Sequence, residues 1–112
     1  YDITHGHGLA ILTPRWLEYI LDETTAPAIA RFGVKVFGTE EDLDTMKGAN
    51  KAIEAVSDFC FKTLGLKSTL TDLEIDDTHF KAMAEHACMG GEITGPKNLT
   101  PDDVEKIYIM CL

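Results

Sequence analysis

Apolar side chains recur along this chain at spacings of three and four, interrupted by residues that start and stop helices. Leu9, Ala10, Ile11, Leu12, Trp16, Leu17, Tyr19, Ile20 and Leu21 point in nearly every direction around a helix, whereas a surface helix leaves one broad polar face. The pattern predicts a central helix, or one with a neighbour on both sides. Pro14 lacks the N–H that would reach the carbonyl of residue 10, so a kink or a first-turn placement is expected there.

A second helix is predicted from Thr24 or Thr25 as cap, with Pro27 in its first turn and Ala28, Ile29, Phe32 and Val36 on its apolar face. Gly38 suits a left-handed C-terminal residue. Glu40-Glu41-Asp42 places carboxylates where a third helix would start, at the positive end of its dipole. Its apolar positions are Leu43, Met46, Ile53, Val56, Cys60 and Leu64, with a wider step over Gly48 that predicts an interruption and Gly65 closing the element. Asp76 or Asp77 caps a fourth helix in which Phe80, Met83, Ala84 and Ala87 share a face, ending at Gly90-Gly91. Thr100-Pro101-Asp102-Asp103 starts a fifth, lined by Val104, Ile107, Tyr108 and Cys111. Strict alternation never persists over a strand length, Gly33-Val-Lys-Val-Phe37 being the only brief rival. The fold class is all-α, with about five helices and no internal repeat.

Composition narrows the partners. With 112 residues the chain makes at most one domain, and 45% hydrophobic against 26% charged residues describes a folding sequence. A formal charge of −9 repels phosphate backbones and anionic lipid, so neither nucleic acid nor membrane is an expected partner. No apolar run is long enough to span a bilayer and no signal peptide opens the chain, which reads as cytoplasmic. Cys60, Cys88 and Cys111 are odd in number and far apart, the pattern of reduced core thiols rather than of a disulfide framework or zinc knuckle.

The chemistry concentrates in Tyr1-Asp-Ile-Thr-His5-Gly-His7-Gly-Leu-Ala-Ile-Leu-Thr-Pro14. His5, about one turn before the firmly helical residues, would feel the positive end of that helix, which favours a neutral ring available to a metal. Gly6 and Gly8 allow close approach. On spacing alone, a capping or turn histidine competes with this reading. His7 is expected to be an exposed turn residue, because His5 and His7 could share a metal only on an extended segment. His79 and His86, about 10.5 Å apart along a helix, are too distant for one metal and read as surface histidines. Cys88 at a helix C-terminus opposes thiolate formation and reads as a wall or core thiol. The acidic run from 40 to 44 lacks the alternating oxygen ligands and central glycine of a calcium loop. No methionine opens the chain, and the richest cluster stands at its very start although metal and catalytic sites draw on several segments. The expectation is a piece of something longer.

The segment His5-Gly-His-Gly-Leu-Ala-Ile-Leu-Thr-Pro-Arg-Trp-Leu-Glu-Tyr19 closely resembles the metal-binding segment of iron-containing alcohol dehydrogenases, particularly the butanol dehydrogenase branch. Ala30-Arg-Phe-Gly-Val-Lys-Val-Phe-Gly38, Leu64-Gly-Leu-Lys-Ser-Thr-Leu-Thr-Asp-Leu73 and Leu99-Thr-Pro-Asp-Asp-Val-Glu-Lys-Ile-Tyr108 extend the resemblance in the same order, so that it covers residues 1–112. It implies the C-terminal helical, metal-side portion of such an enzyme, with the nucleotide-binding domain upstream. The family holds a divalent metal, Fe2+ or Zn2+, with one aspartate and three histidines, and the last of these histidines matches His5. The others would lie upstream. Gly6, His7 and Gly8 are then near the site without being ligands, and Cys88 is similar to a position lining the substrate cleft in lactaldehyde reductase relatives.

The implied reaction is hydride transfer between NADH or NADPH and a short-chain aldehyde such as butyraldehyde, giving a primary alcohol, with the metal as Lewis acid. A homo-oligomer is expected, and the chain alone, with a single ligand and no phosphate-binding glycine loop, is expected to be inactive. Two other readings remain open: a free-standing helical interaction module, and a small metal carrier built on His5 and His7.

Overall fold

A computed structural model describes residues 1–41 and 44–112, and among these the fold is all-helical. Five α-helices follow one another: α1 His5–Ile20, α2 Ala26–Phe32, α3 Thr45–Asp58, α4 Phe80–Cys88 and α5 Pro101–Met110. π-helical turns extend α2 over Gly33–Phe37 and α3 over Phe59–Thr63, and short 3-10 turns cover Thr71–Leu73 and Asp77–His79. The strand rival at 33–37 is thus helical, and only an isolated antiparallel bridge, Ile93 with Leu99, pairs extended backbone among the described residues. No helix among them is long and apolar enough to cross a membrane.

Local chemistry explains most of the boundaries. At α5, Thr100 accepts from the Asp103 N–H while the Asp103 carboxylate accepts from the Thr100 N–H, a reciprocal capping box with Pro101 in the first turn. Asp76 accepts from the Thr78 N–H ahead of α4. Gly38 (φ 66°) and Gly65 (φ 68°) hold the left-handed conformation that ends a helical run, whereas after α4 Met89 takes it first, at φ 49°, followed by Gly90.

Several expectations are corrected. α3 starts at Thr45 rather than at the acidic run, because the Asp44 carboxylate accepts from the N–H groups of Met46 (3.0 Å) and Lys47 (3.3 Å). A side-chain cap localises the start more sharply than the diffuse dipole preference of Glu40 and Glu41; Asp42 and Leu43 lie outside the described residues. Gly48 does not interrupt α3. It is buried against Ala30, where a Cβ would come within 3.1 Å of the Ala30 Cβ, so the missing side chain serves helix-to-helix contact. Neither Thr24 nor Thr25 caps α2 with its hydroxyl. Asp22 Oδ1 accepts from both of their N–H groups, and the buried Thr25 hydroxyl donates instead to the Ile20 carbonyl at 2.7 Å. On α2 only Ile29 of the expected apolar face is buried; Ala28, Phe32 and Val36 are exposed, the interior positions going to Ala26 and Gly33.

Packing assembles two connected cores. α2 and α3 run side by side in the same direction, with Ala30 facing Gly48, Gly33 facing Ala52 and the Phe37 ring 6.4 Å from Phe59. α5 runs antiparallel to α1, since Tyr19 meets Asp103 and the Ile11 carbonyl meets Cys111 Sγ. α4 in turn runs antiparallel to α5, placing Phe80 beside Tyr108 and Cys88 beside Leu99. One core gathers Ile20, Ile29, Ala49, Ala52, Ile53, Cys88, Val104 and Ile107 around the end of α1. The other gathers Ile11, Leu70, Ile75, Phe80 and Cys111 around its middle. α1 touches both, which is why its apolar residues point almost all round. Pro14 is buried inside it, past the first turn.

Candidate functional site

The start of α1 is assembled from residues that individually disfavour a helix. Thr4 stands at the cap position without a side-chain cap bond, and no acidic residue occupies the first turn. Gly6 and Gly8 each reduce helix propensity by about 1 kcal/mol relative to alanine. The turn closes through the Thr4 carbonyl, which accepts from the N–H groups of His7 (3.0 Å) and Gly8 (3.1 Å). His5 is consequently the first helical residue, not one turn upstream.

The His5 ring is exposed, and no hydrogen bond engages it among the described residues. A Cβ on Gly6 would meet nothing within 4 Å, so the space beside His5 is open. His7 is half-buried rather than an exposed turn residue, with Nε2 2.9 Å from the Lys67 carbonyl oxygen. A carbonyl only accepts, so Nε2 carries the proton in this contact. Residues two apart on a helix point about 200° apart. The helical start therefore removes the extended geometry in which His5 and His7 would share one metal, and with it the basis of the metal-carrier reading.

Among the described residues, no group of three or more His, Cys, Asp or Glu side chains is placed to hold a metal ion. The exposed His5 imidazole, with open space at Gly6 and glycine neighbours, has the chemistry of a single metal ligand, and the described residues complete no ligand set around it. Tyr1, Ile3, Gly8, Leu12, Leu70, Ile75, Met83 and Tyr108, from the segments flanking His5, the stretch before α4, and α4 and α5 themselves, line a mainly apolar pocket of about 200 Å³ that His5 itself does not line. A larger apolar cleft of about 490 Å³ opens farther along α1, between Trp16, Leu17, Ile20, Ile29 and Phe32.

The structure does not bring Cys88 to His5. Cys88 is buried with Ile20 and Val104, its Sγ 3.9 Å from the Leu99 carbonyl, whereas Ile20 stands about 22 Å along α1 from His5 at the usual rise per residue. Cys111 is fully buried too, Cys60 is half-buried, and all three thiols are free. His79 and His86 are exposed, and the His79 ring lies 6.3 Å from that of Tyr1. Sequence reasoning missed Lys67, whose contribution is a backbone carbonyl that no side-chain pattern announces.

The model of the Fe-containing alcohol dehydrogenase family, C-terminal, matches residues 1–112. NADH-dependent butanol dehydrogenases B and A of Clostridium acetobutylicum are each 37% identical over 110 residues, covering 96% of this chain. A probable NADH-dependent butanol dehydrogenase 1 of Bacillus subtilis is 35% identical over 108 residues. Among solved structures, a 1,3-propanediol oxidoreductase superposes with a TM-score of 0.81 at 26% identity over 100% of the chain. The NADH-dependent butanol dehydrogenase A of Thermotoga maritima gives 0.77 at 27% identity over 99%. The chain spans 28% of the length of the Clostridium relatives and 29% of each of these solved chains.

Proposed function

Since the chain belongs to the Fe-containing alcohol dehydrogenase family and matches its C-terminal portion, we propose that it is the metal-side helical part of an NAD(P)H-dependent enzyme interconverting short-chain aldehydes and primary alcohols. The observation that carries this reading is His5, an exposed imidazole with no hydrogen bond among the described residues, on a glycine-flanked first turn. His5 supplies one nitrogen to a divalent metal, Fe2+ or Zn2+, whose remaining ligands come from polypeptide outside this chain. When bound, the metal supplies Lewis-acid polarisation of a carbonyl oxygen, and the nicotinamide supplies the hydride.

This chain's own contribution is to present that nitrogen, to leave room beside it at Gly6, and to wall the approach with apolar side chains. The pocket bordered by Ile3, Leu12 and Tyr108 suits an aliphatic aldehyde of about butyraldehyde size by its lining. Cys88, packed at the far end of α1, takes no part. Among the described residues no cluster of side chains could hold a metal by itself, and no turnover by residues 1–112 alone is expected.

The test is NADH and NADPH oxidation with short aliphatic aldehydes and added Fe2+ or Zn2+, using the natural polypeptide that carries this chain. Turnover is expected, falling at least about a hundredfold in His5→Ala together with loss of tightly held metal. Full metal content and rate in His5→Ala would overturn the reading, as would turnover by residues 1–112 alone. An intact mass of the natural product no larger than this chain would leave only a helical interaction module.

A further inference from the structure

We infer that His7 is a positioning residue, its ring anchored on the Lys67 carbonyl so that the first turn of α1 is held and His5 is aimed. The inference rests on the reading of His5 as a metal ligand and concerns what orients that ligand.

α5 shows what a self-sufficient helix start looks like here: a capping box, Pro101 in the first turn and two acidic residues beside it. α1 has none of these devices. Thr4 gives no side-chain cap, the first turn holds no acid, and Gly6 and Gly8 give the backbone freedom that favours fraying. Beyond the backbone bonds to Thr4, the turn is held by the Ile3 side chain against Gly8 and by the His7 ring on Lys67. Only the second is directional and spans 60 residues of sequence.

The carbonyl that receives it is itself braced. The Lys67 ammonium donates to the Asp72 carbonyl at 3.0 Å, the Leu66 N–H to Cys60 at 3.2 Å and the Leu70 N–H to Cys111 at 2.8 Å. Cys111 Sγ lies 3.8 Å from the Ile11 carbonyl in the second turn of α1. The loop is thus fastened to the same scaffold that fixes the body of the helix, and His7 carries that rigidity forward to the turn bearing His5. Groups hydrogen-bonded directly to metal ligands alter metal affinity by roughly ten- to a hundredfold when removed, and His7, acting on His5 through the backbone of one turn, belongs at the lower end of that range.

The experiment uses the full polypeptide loaded with Co2+, whose visible absorption reports ligand geometry, and compares His7→Phe, His7→Ala, His7→Gln and His5→Ala. His7→Phe keeps the ring volume without a donor, and His7→Gln restores an N–H at a similar reach. The expected result is Co2+ binding at least about tenfold weaker in His7→Phe and His7→Ala, with an altered absorption band and faster amide exchange at Gly8. His7→Gln should recover most of each signal. Parent-like Co2+ affinity and spectrum in His7→Phe, with binding lost in His5→Ala, would overturn the inference and leave the metal reading standing. Parent-like Co2+ binding in His5→Ala would overturn the metal reading, and this inference with it.

Discussion

Tyr19, near the end of α1, donates its phenol hydrogen bond to Asp103 in the first turn of α5, at 2.5 Å across 84 residues of sequence. The same carboxylate closes the capping box, accepting from the N–H and the hydroxyl of Thr100, both at 2.9 Å. One side chain therefore starts α5 and locks it against α1. The phenol holds the Asp103 carboxyl below the usual carboxylate range, and the carboxylate pushes the Tyr19 hydroxyl up to about 12.

Tyr19→Phe should lower stability by about 1–2 kcal/mol, the range for a hydrogen bond to a charged group that is only partly buried. Asp103→Ala should cost more, since it also removes the carboxylate half of the α5 capping box while Thr100 still accepts from the residue 103 N–H. Urea denaturation of the three proteins measures both, and equal midpoints for Tyr19→Phe and its parent would show the contact to be energetically idle.

The pair also sets a pH dependence. A depressed Asp103 pKa contributes stability that is present above about 4, the unfolded carboxylate value, and is lost as pH falls through the lower folded value. A raised Tyr19 pKa contributes stability that is complete below about 10 and is lost as pH rises through about 12. The gap in Tm between parent and Tyr19→Phe should therefore be widest between these limits and shrink at both ends. A gap independent of pH from 2 to 7 would contradict the acid-side assignment.

Gly33→Ala should destabilise by about 1–3 kcal/mol through overpacking. A Cβ there would stand 2.6 Å from the Ala52 Cβ, 3.1 Å from the Ala52 Cα and 2.9 Å from the Thr39 hydroxyl, and the Ala52 atoms cannot withdraw without moving α3. Gly6→Ala meets open space, so chemical denaturation should show it neutral or stabilising.

Thiol reactivity should follow burial. Desolvation pushes the Cys111 thiol up to about 11, and Cys88 is nearly as enclosed, while Cys60 is half-buried. With iodoacetamide at pH 8, mass spectrometry should find Cys60 modified first and Cys111 only on unfolding. Equal rates at Cys60 and Cys111 in the folded protein would contradict the packing.

The Fe-type helical architecture was legible wherever a signal acts within a few residues. Thr100-Pro-Asp-Asp103 announces its helix because cap, proline and acids all serve the same first turn, and Gly38 and Gly65 mark helix ends because their own φ angles demand it. The all-round apolar pattern of α1 likewise foretold a helix with neighbours on more than one side. What sequence spacing misjudged was packing: Gly48 looked like a break until Ala30 lay against it, and Phe32 looked buried until Gly33 took the interior. At the candidate site, resemblance and glycine neighbours pointed to His5 from the sequence, whereas nothing in the sequence pointed to the anchor of His7. That anchor is a backbone carbonyl 60 residues away, just as the partner of Tyr19 is a carboxylate 84 residues away. Capping and turn preferences are properties of a short stretch of chain, whereas such pairings exist only once the helices have met, and tertiary structure alone decides them.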